Sequence, residues 1–315
     1  MGDSHFSGML HHLGGVPVGL GIPFGPDSRY FFVDPDNGND DNNGTERIRA
    51  KASLAAAYAL TRADKHDTVF FIGGDNADVP TAALDWANDF THLIGLSGNI
   101  PGSGQRCRVE AQAANDVVNV VDFSCKGSVI RNMQFTNLSN ADVDSGAGIV
   151  SGGRNAFHNV FFAGMGHATP AARAGSYSLT LTGSENFFER CTIGLDTIVR
   201  AAANAELVVA GGARNRFWDC DITSQSSTAG KFAVQVSDMD RWLEFKNVLF
   251  HNFSTNWAQS LTNAFNITEA ATHYVILRGD CQFVGYAGIA DTVTHIYGAG
   301  PAPNAGMFLS TQPTT

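Results

Sequence analysis

The stretch GRNAFHNVFFAG (Gly153–Gly164) is followed by GSENFFERCTIG (Gly183–Gly194) and then by GARNRFWDCDIT (Gly212–Thr223). Aligned on their Asn and Phe, these three segments continue into Leu243–Phe250 and extend back to Ile130–Phe135, with a looser copy ending Cys281-Gln-Phe283. The anchors Ile130, Phe157, Phe188, Phe217 and Phe245 stand 27, 31, 29 and 28 residues apart. Each copy follows a short alternating run: SLTLTG (Ser178–Gly183), ELVVAGG (Glu206–Gly212), FAVQVSD (Phe232–Asp238) and AFNITEA (Ala264–Ala270). Period-two alternation bounded by Gly, Ser and Asn reads as strand. One repeat is therefore strand, turn, strand, loop.

That length is too short for a propeller blade of about 40–45 residues, and the leucine-rich spacing is missing. It suits one coil of a parallel β-solenoid, in which successive coils stack at ~4.8 Å. Equivalent positions then become neighbours. Phe157, Phe188, Phe217 and Phe245 are expected to form an inward aromatic stack, and Val160, Cys191, Cys220 and Val248 a small apolar one. Asn155, Asn186 and Asn215 are expected to form an amide ladder, each side chain bonding the next. Arg154, Glu185 and Arg214 fall on one ladder with alternating sign, and Arg190 sits beside Asp219 on another, the arrangement that opposite charges favour.

The section before the repeats differs. Arg29–Thr45 reads as a strand and a turn-rich loop, the Ala-rich Lys51–Lys65 as a short helix, and Asp67–Gly74 as strand again. An open solenoid end exposes strand edges and an apolar core, so the helix is expected to act as its lid. The chain divides into an extended N-terminal arm (1–26), a strand, turn loop and capping helix (27–75), parallel coils (76–297) and an extended tail (298–315).

A net charge of −10 without a basic stripe argues against nucleic-acid binding. The first residues lack the basic and apolar regions of a signal peptide, and no run reaches the ~18 apolar residues of a membrane span. Synthesis in the cytoplasm, without secretion or membrane insertion, is the expectation. Five scattered cysteines (Cys107, Cys125, Cys191, Cys220, Cys281) are expected as buried thiols rather than disulfides or zinc ligands.

The strand, Asp/Asn-rich loop, Ala-rich helix and HDTVFFIGG (His66–Gly74) together resemble the opening module of pectin-lyase-like proteins. The resemblance implies an all-β fold, a right-handed single-stranded parallel β-helix, over Arg29–Tyr297. GDSHFSGML (Gly2–Leu10) is similar to the amino-terminal tag of tailed-bacteriophage virion proteins, with Met9 where those relatives usually carry Pro. That resemblance implies a virion structural protein of head or tail, made in the host cytoplasm.

Several motifs bear on chemistry. Asn39, Asp41, Asn43 and Gly44 match the first ligand positions of an EF-hand loop, but Ala50 stands where a bidentate Glu belongs, so an Asx/Gly turn is the expectation. Glu189, Asp219, Asp221 and Glu244 face outward but read as isolated surface charges, not the converging pair that a glycosidase needs. His158, His251 and His273 stand singly, and neither metal nor cofactor is expected. Trp218 and Trp242 are candidate sugar platforms or cover for the solenoid wall.

The sequence is thus read as a non-enzymatic virion protein without catalytic residues, a capsid decoration expected to assemble as a homotrimer. The arm would dock through Ser4, His5, Phe6, Ser7, Gly8, Met9, Leu10, Leu13 and Val16 on the major capsid protein or another virion protein. The alternative is a tailspike-type polysaccharide depolymerase or a glycan-binding β-helix, with host surface glycan as the partner.

Overall fold

The period-two segments pair in parallel into three long sheets that wind through eight successive turns. The computed structural model describes residues 11–12, 16–17, 25–97, 107–226, 232–253, 261–268, 273–290, 295–298 and 308–310. Each turn contributes one strand to each sheet in a fixed order. In the fourth turn these are Leu179–Leu181 in the first sheet, Phe187–Glu189 in the second and Thr192–Ile193 in the third. The first and third sheets have eight strands and the second has ten. The fold is a right-handed parallel β-helix, the handedness that right-twisted parallel strands impose on their crossovers.

The register is the one that the repeat dictates. Ile130, Phe157, Phe188, Phe217 and Phe245 pair in succession on the second sheet. All five are fully buried. Adjacent rings of the four phenylalanines stack with centroids 4.6, 4.4 and 5.2 Å apart. Val160, Cys191, Cys220 and Val248 are buried below them, and the five cysteines are free thiols. Burial pushes the Cys125 thiol up to about 12.

Two corners explain the polar letters of the repeat. Between the first and second sheets, Arg154, Glu185 and Arg214 adopt left-handed backbone with φ of 59, 63 and 58°. Their side chains form the alternating ladder. Arg154 Nε lies 2.6 Å from Glu185 Oε2, and Arg214 Nη2 pairs with Glu185 Oε1. The following Asn is buried. Asn186 Oδ1 accepts from the Asn155 backbone N–H (3.0 Å), and Asn215 Oδ1 from that of Asn186 (2.8 Å). The Nδ2 groups of Asn155, Asn186 and Asn215 donate to Cys125 O, Gly152 O and Gly183 O. The ladder therefore runs mainly through backbone groups of the neighbouring turn rather than from amide to amide. Gly183 lies so close to the turn before it that a Cβ would meet Gly152 O at 1.6 Å. Between the second and third sheets one left-handed residue per turn suffices: Asn132, Asn159, Arg190, Asp219 and Asn247 all have φ of 53–55°. Asp and Asn tolerate this conformation best.

At the N-terminal end, helix α1 (Leu54–Tyr58) is capped by Ser53, whose hydroxyl accepts from Ala56 N–H, and it buries Leu54 and Ala57 against the first strands. It is shorter than the Ala-rich stretch. Thr61 Oγ1 donates to Tyr58 O, and the buried Asp67 gathers Arg29 N–H, Arg62 N–H and the Arg62 guanidinium, which pulls the chain into the next strand. The loop before it is built of Asx turns. Asn39 Oδ1 accepts from Asp41 N–H and Asn43 Oδ1 from Thr45 N–H, so these oxygens face their own backbone. Among the described residues no group of three His, Cys, Asp or Glu is placed to hold a metal ion.

Of the docking arm, Ser4, His5, Phe6, Ser7, Gly8, Met9, Leu10 and Leu13 lie outside the described residues; Val16 belongs to a short strand, Val16–Pro17, antiparallel to His11–His12. In the tail, Phe308–Ser310 pairs in parallel with Gln282–Val284 and supplies the last strand of the third sheet. No helix among the described residues is long and apolar enough to cross a membrane.

Candidate functional site

Because strand side chains alternate, each sheet buries one row and presents another. On the first sheet the chain writes Leu84-Asp85-Trp86 and, one turn later, Val121-Asp122-Phe123. Trp86, Val121 and Phe123 are buried and Leu84 packs on the core, which turns both aspartates outward. Asp85 and Asp122 are direct register partners on adjacent strands. Each carboxylate is held by a serine from the turn above: Ser124 Oγ donates to Asp85 Oδ1 (2.5 Å) and Ser151 Oγ to Asp122 Oδ1 (2.7 Å). Partial burial raises the Asp122 pKa, and the like charge of Asp85 adds to it against the Ser151 hydrogen bond. Two tyrosines sense these charges, Tyr58 that of Asp85 and Tyr177 that of Asp122. Tyr177 Oη donates to Asn119 Oδ1 at 2.6 Å. Two outward carboxyl groups thus stand one strand apart, with the pKa of Asp122 raised by its partial burial.

The outward face of the second sheet is different in kind. Over its later turns it carries Phe187, Trp218, Trp242, Tyr274 and Tyr297 together with Arg216, Lys246 and Arg278. Lys246 Nζ lies 4.5 Å from the Trp218 ring centroid, and Arg216 Cζ lies 5.3 Å from that of Trp242. Glu244 is buried to 5% exposure and accepts from Trp218 Nε1 (2.9 Å), with Arg278 Nη1 at 3.4 Å. Glu189 meets His158 Nδ1 at 2.8 Å.

The four carboxylates singled out in the sequence do not converge. Glu189 and Glu244 are engaged on this wall. Asp219 accepts from Asn247 Nδ2 (2.9 Å) at a corner, and Asp221 faces outward on the third sheet. Burial raises the Asp221 pKa, and His251 on the next turn opposes the rise. The aspartates that do converge, Asp85 and Asp122, were missed by the sequence reading. The signal was present in the matching triplets LDW and VDF, an older copy of the repeat lying upstream of Ile130. Their aromatic members sit on neighbouring turns, with Trp86 and Phe123 ring centroids 6.4 Å apart.

No family model and no curated protein matches the chain. Solved structures do. A pectate lyase, Pel9A, superposes with a TM-score of 0.54 at 15% identity, covering 90% of this chain and 83% of its own. A pectin methylesterase in complex with a hexasaccharide gives 0.52 at 15% identity, covering 85% and 80%. The deglycosylated pectin methylesterase from Aspergillus niger gives 0.51 at 13% identity, covering 89% and 92%. The chain shares the parallel β-helix fold of these enzymes.

At this identity the likeness establishes the fold, and it corrects one expectation. Solved structures that share the fold over most of the chain include those of enzymes, pectin methylesterases and a pectate lyase, so the reading of a non-enzymatic protein is withdrawn. The outward acids weighed in the sequence are those of the later turns, whereas the paired aspartates lie in the N-terminal turns, before the clear repeats begin.

Proposed function

We propose that the protein is a polysaccharide-processing β-helix that cleaves glycosidic bonds with Asp122 as proton donor and Asp85 as the second acid of the pair. The observation that carries this is the register pairing of the two aspartates on the first sheet. Parallel strands stand ~4.8 Å apart, close to the ~5–5.5 Å that separates the two carboxyl groups of retaining glycosidases. Asp122, whose pKa partial burial raises, gives its proton to the leaving oxygen as the glycosidic C–O bond breaks; Asp85, more exposed and bonded by Ser124, faces the developing oxocarbenium ion, which water then captures while its proton returns to Asp122. The enzymes sharing the fold include one captured with a hexasaccharide, which supports a polymer as substrate.

The test is release of reducing ends from a panel of bacterial surface and plant polysaccharides by the full chain. Release that Asp122→Asn and Asp85→Asn each abolish supports the assignment; release that survives both substitutions overturns it.

The similarity of Gly2–Leu10 to virion proteins supports carriage of this activity on a phage particle, acting on host surface glycan, with docking through residues 1–26 and assembly as a homotrimer. Detection of the protein on purified particles, loss of that signal on deleting residues 1–26, and a trimer mass by light scattering are the expected results.

A further inference from the structure

We propose that the outer wall of the second sheet, from Arg216 to Tyr297, is a second glycan-binding surface that holds an anionic chain away from the carboxylate pair. The choice of a glycan rests on the polysaccharide reading above; the choice of an anionic one rests on the wall itself.

The chain carries ten more acidic than basic charges, yet on this wall the cations Arg216, Lys246 and Arg278 outnumber the carboxylates, Glu244 among them and Glu189 at its edge, where it is held by His158. Glu244 faces Arg216 across the ladder, but its Oε1 is drawn to Trp218 Nε1 and Arg278 Nη1. Arg216 and Lys246 therefore have no carboxylate partner among the described residues; each is held instead over an indole ring. An aromatic ring fixes a cation without neutralising it, which leaves its N–H groups available to an incoming carboxylate or sulfate. Beyond the cations stand Tyr274 and Tyr297, edge to face at 5.1 Å, with Tyr297 56% exposed. An exposed tyrosine and a half-buried one next to positioned cations suit a ligand with apolar sugar faces and repeated negative charge.

The other two faces lack this combination. The first sheet presents Asp85, Asp122, Ile149, Thr180, Val208 and Gln235 along the matching row, with no cation. On the third sheet, the corresponding strand positions of the same late turns carry Asp221, Leu249 and Gln282. Charge complementarity therefore selects one wall.

The experiment is affinity electrophoresis of the full chain through gels containing polygalacturonate, neutral dextran or single-stranded DNA, with turnover measured separately on short oligosaccharides. Retardation by polygalacturonate alone is expected, weakening as salt rises. Arg216→Gln combined with Lys246→Gln should weaken it at least tenfold at an unchanged melting temperature, while Arg216→Lys with Lys246→Arg restores most of it. Asp122→Asn should bind as the wild type does. Equal retardation by dextran, or none lost in the Gln pair, overturns the proposal; equal retardation by DNA overturns it in favour of a nucleic-acid ligand. Failure of the cleavage reading is distinct: it abolishes turnover and leaves the pattern of retardation untouched.

Discussion

The first and second sheets are built from the same repeat, yet their outer faces have opposite characters. Early in the solenoid the first sheet sets Asp85 against Asp122, two like charges one strand apart. Late in the solenoid the second sheet sets Lys246 over Trp218 and Arg216 over Trp242, cations satisfied by rings. The buried rows beneath are near copies, aromatic or aliphatic in every turn. The inward letters of the repeat are fixed by packing and the outward letters are free, so one scaffold carries a face of paired acids in its early turns and a face of cations set over indole rings in its late ones.

The sharpest way to break this contrast is to neutralise the acid pair. Asp122→Asn is expected to lower the cleavage rate by about 10²–10⁴-fold while the circular dichroism spectrum and wall binding stay unchanged. Next comes the shared core. Phe217 lies beneath the wall between Phe188 and Phe245, and Phe217→Ala should cost about 3–5 kcal/mol in denaturant unfolding. Rates on short oligosaccharides should persist wherever the protein remains folded.

Acid sharpens the comparison in another way, because the strongly shifted groups beside the pair lie in the early turns. His92 is buried, accepts from Val129 N–H through Nδ1 and sits 3.1 Å from His66 Nδ1; burial first, and the His66 charge second, lower its pKa to about 4. A depressed histidine favours the folded state above the unfolded value of 6.5, and that stability is lost as pH falls from 6.5 to 4, about 3 kcal/mol in all. Asp78, buried and accepting from Leu54 N–H, is raised to about 6 by burial and acts the other way, relieving strain of about 3 kcal/mol as pH falls from 6 to 3.8. The two offset each other in the wild type. In Asp78→Asn the acid loss should stand alone, visible as a melting temperature that drops steeply between pH 6 and 4.

Smaller effects follow. Asn186→Ala leaves the Asn155 N–H and Gly152 O of the neighbouring turn without their partner, costing about 1–3 kcal/mol. Ser151→Ala removes the hydrogen bond that holds the Asp122 pKa down, so the basic limb of the pH–rate profile should shift to higher pH with little change in the maximum rate.

The solenoid was legible in the sequence because stacking forces equivalence. Asn155, Asn186 and Asn215 recur because each must reach the backbone of the neighbouring turn, and the rings at Phe157, Phe188 and Phe217 recur because each must cover the next. The acid pair was less legible for the same reason. Asp85 and Asp122 lie 37 residues apart, outside the regular interval, because the connection from Gly95 to Arg108 is far longer than the one from Glu189 to Thr192 at the same corner of a later turn. The partner of each carboxylate is a serine from another turn, and no spacing within one repeat predicts it. The wall was half legible: Trp218 and Trp242 stood out, but the cations above them come from Lys246, one turn later, and Arg216, one turn earlier.

The single left-handed residue that closes each turn between the second and third sheets has a consequence for descent. With Asn132, Asn159, Arg190, Asp219 and Asn247 all near φ 54°, every turn leaves the corner in the same direction, so one turn can be duplicated or lost in the gene without re-aiming its neighbours. Such an event between Phe123 and Phe187 would move the acid pair and the cationic wall apart or together by one strand spacing, ~4.8 Å. The distance between the two faces is thereby a quantity that evolution can change in whole steps.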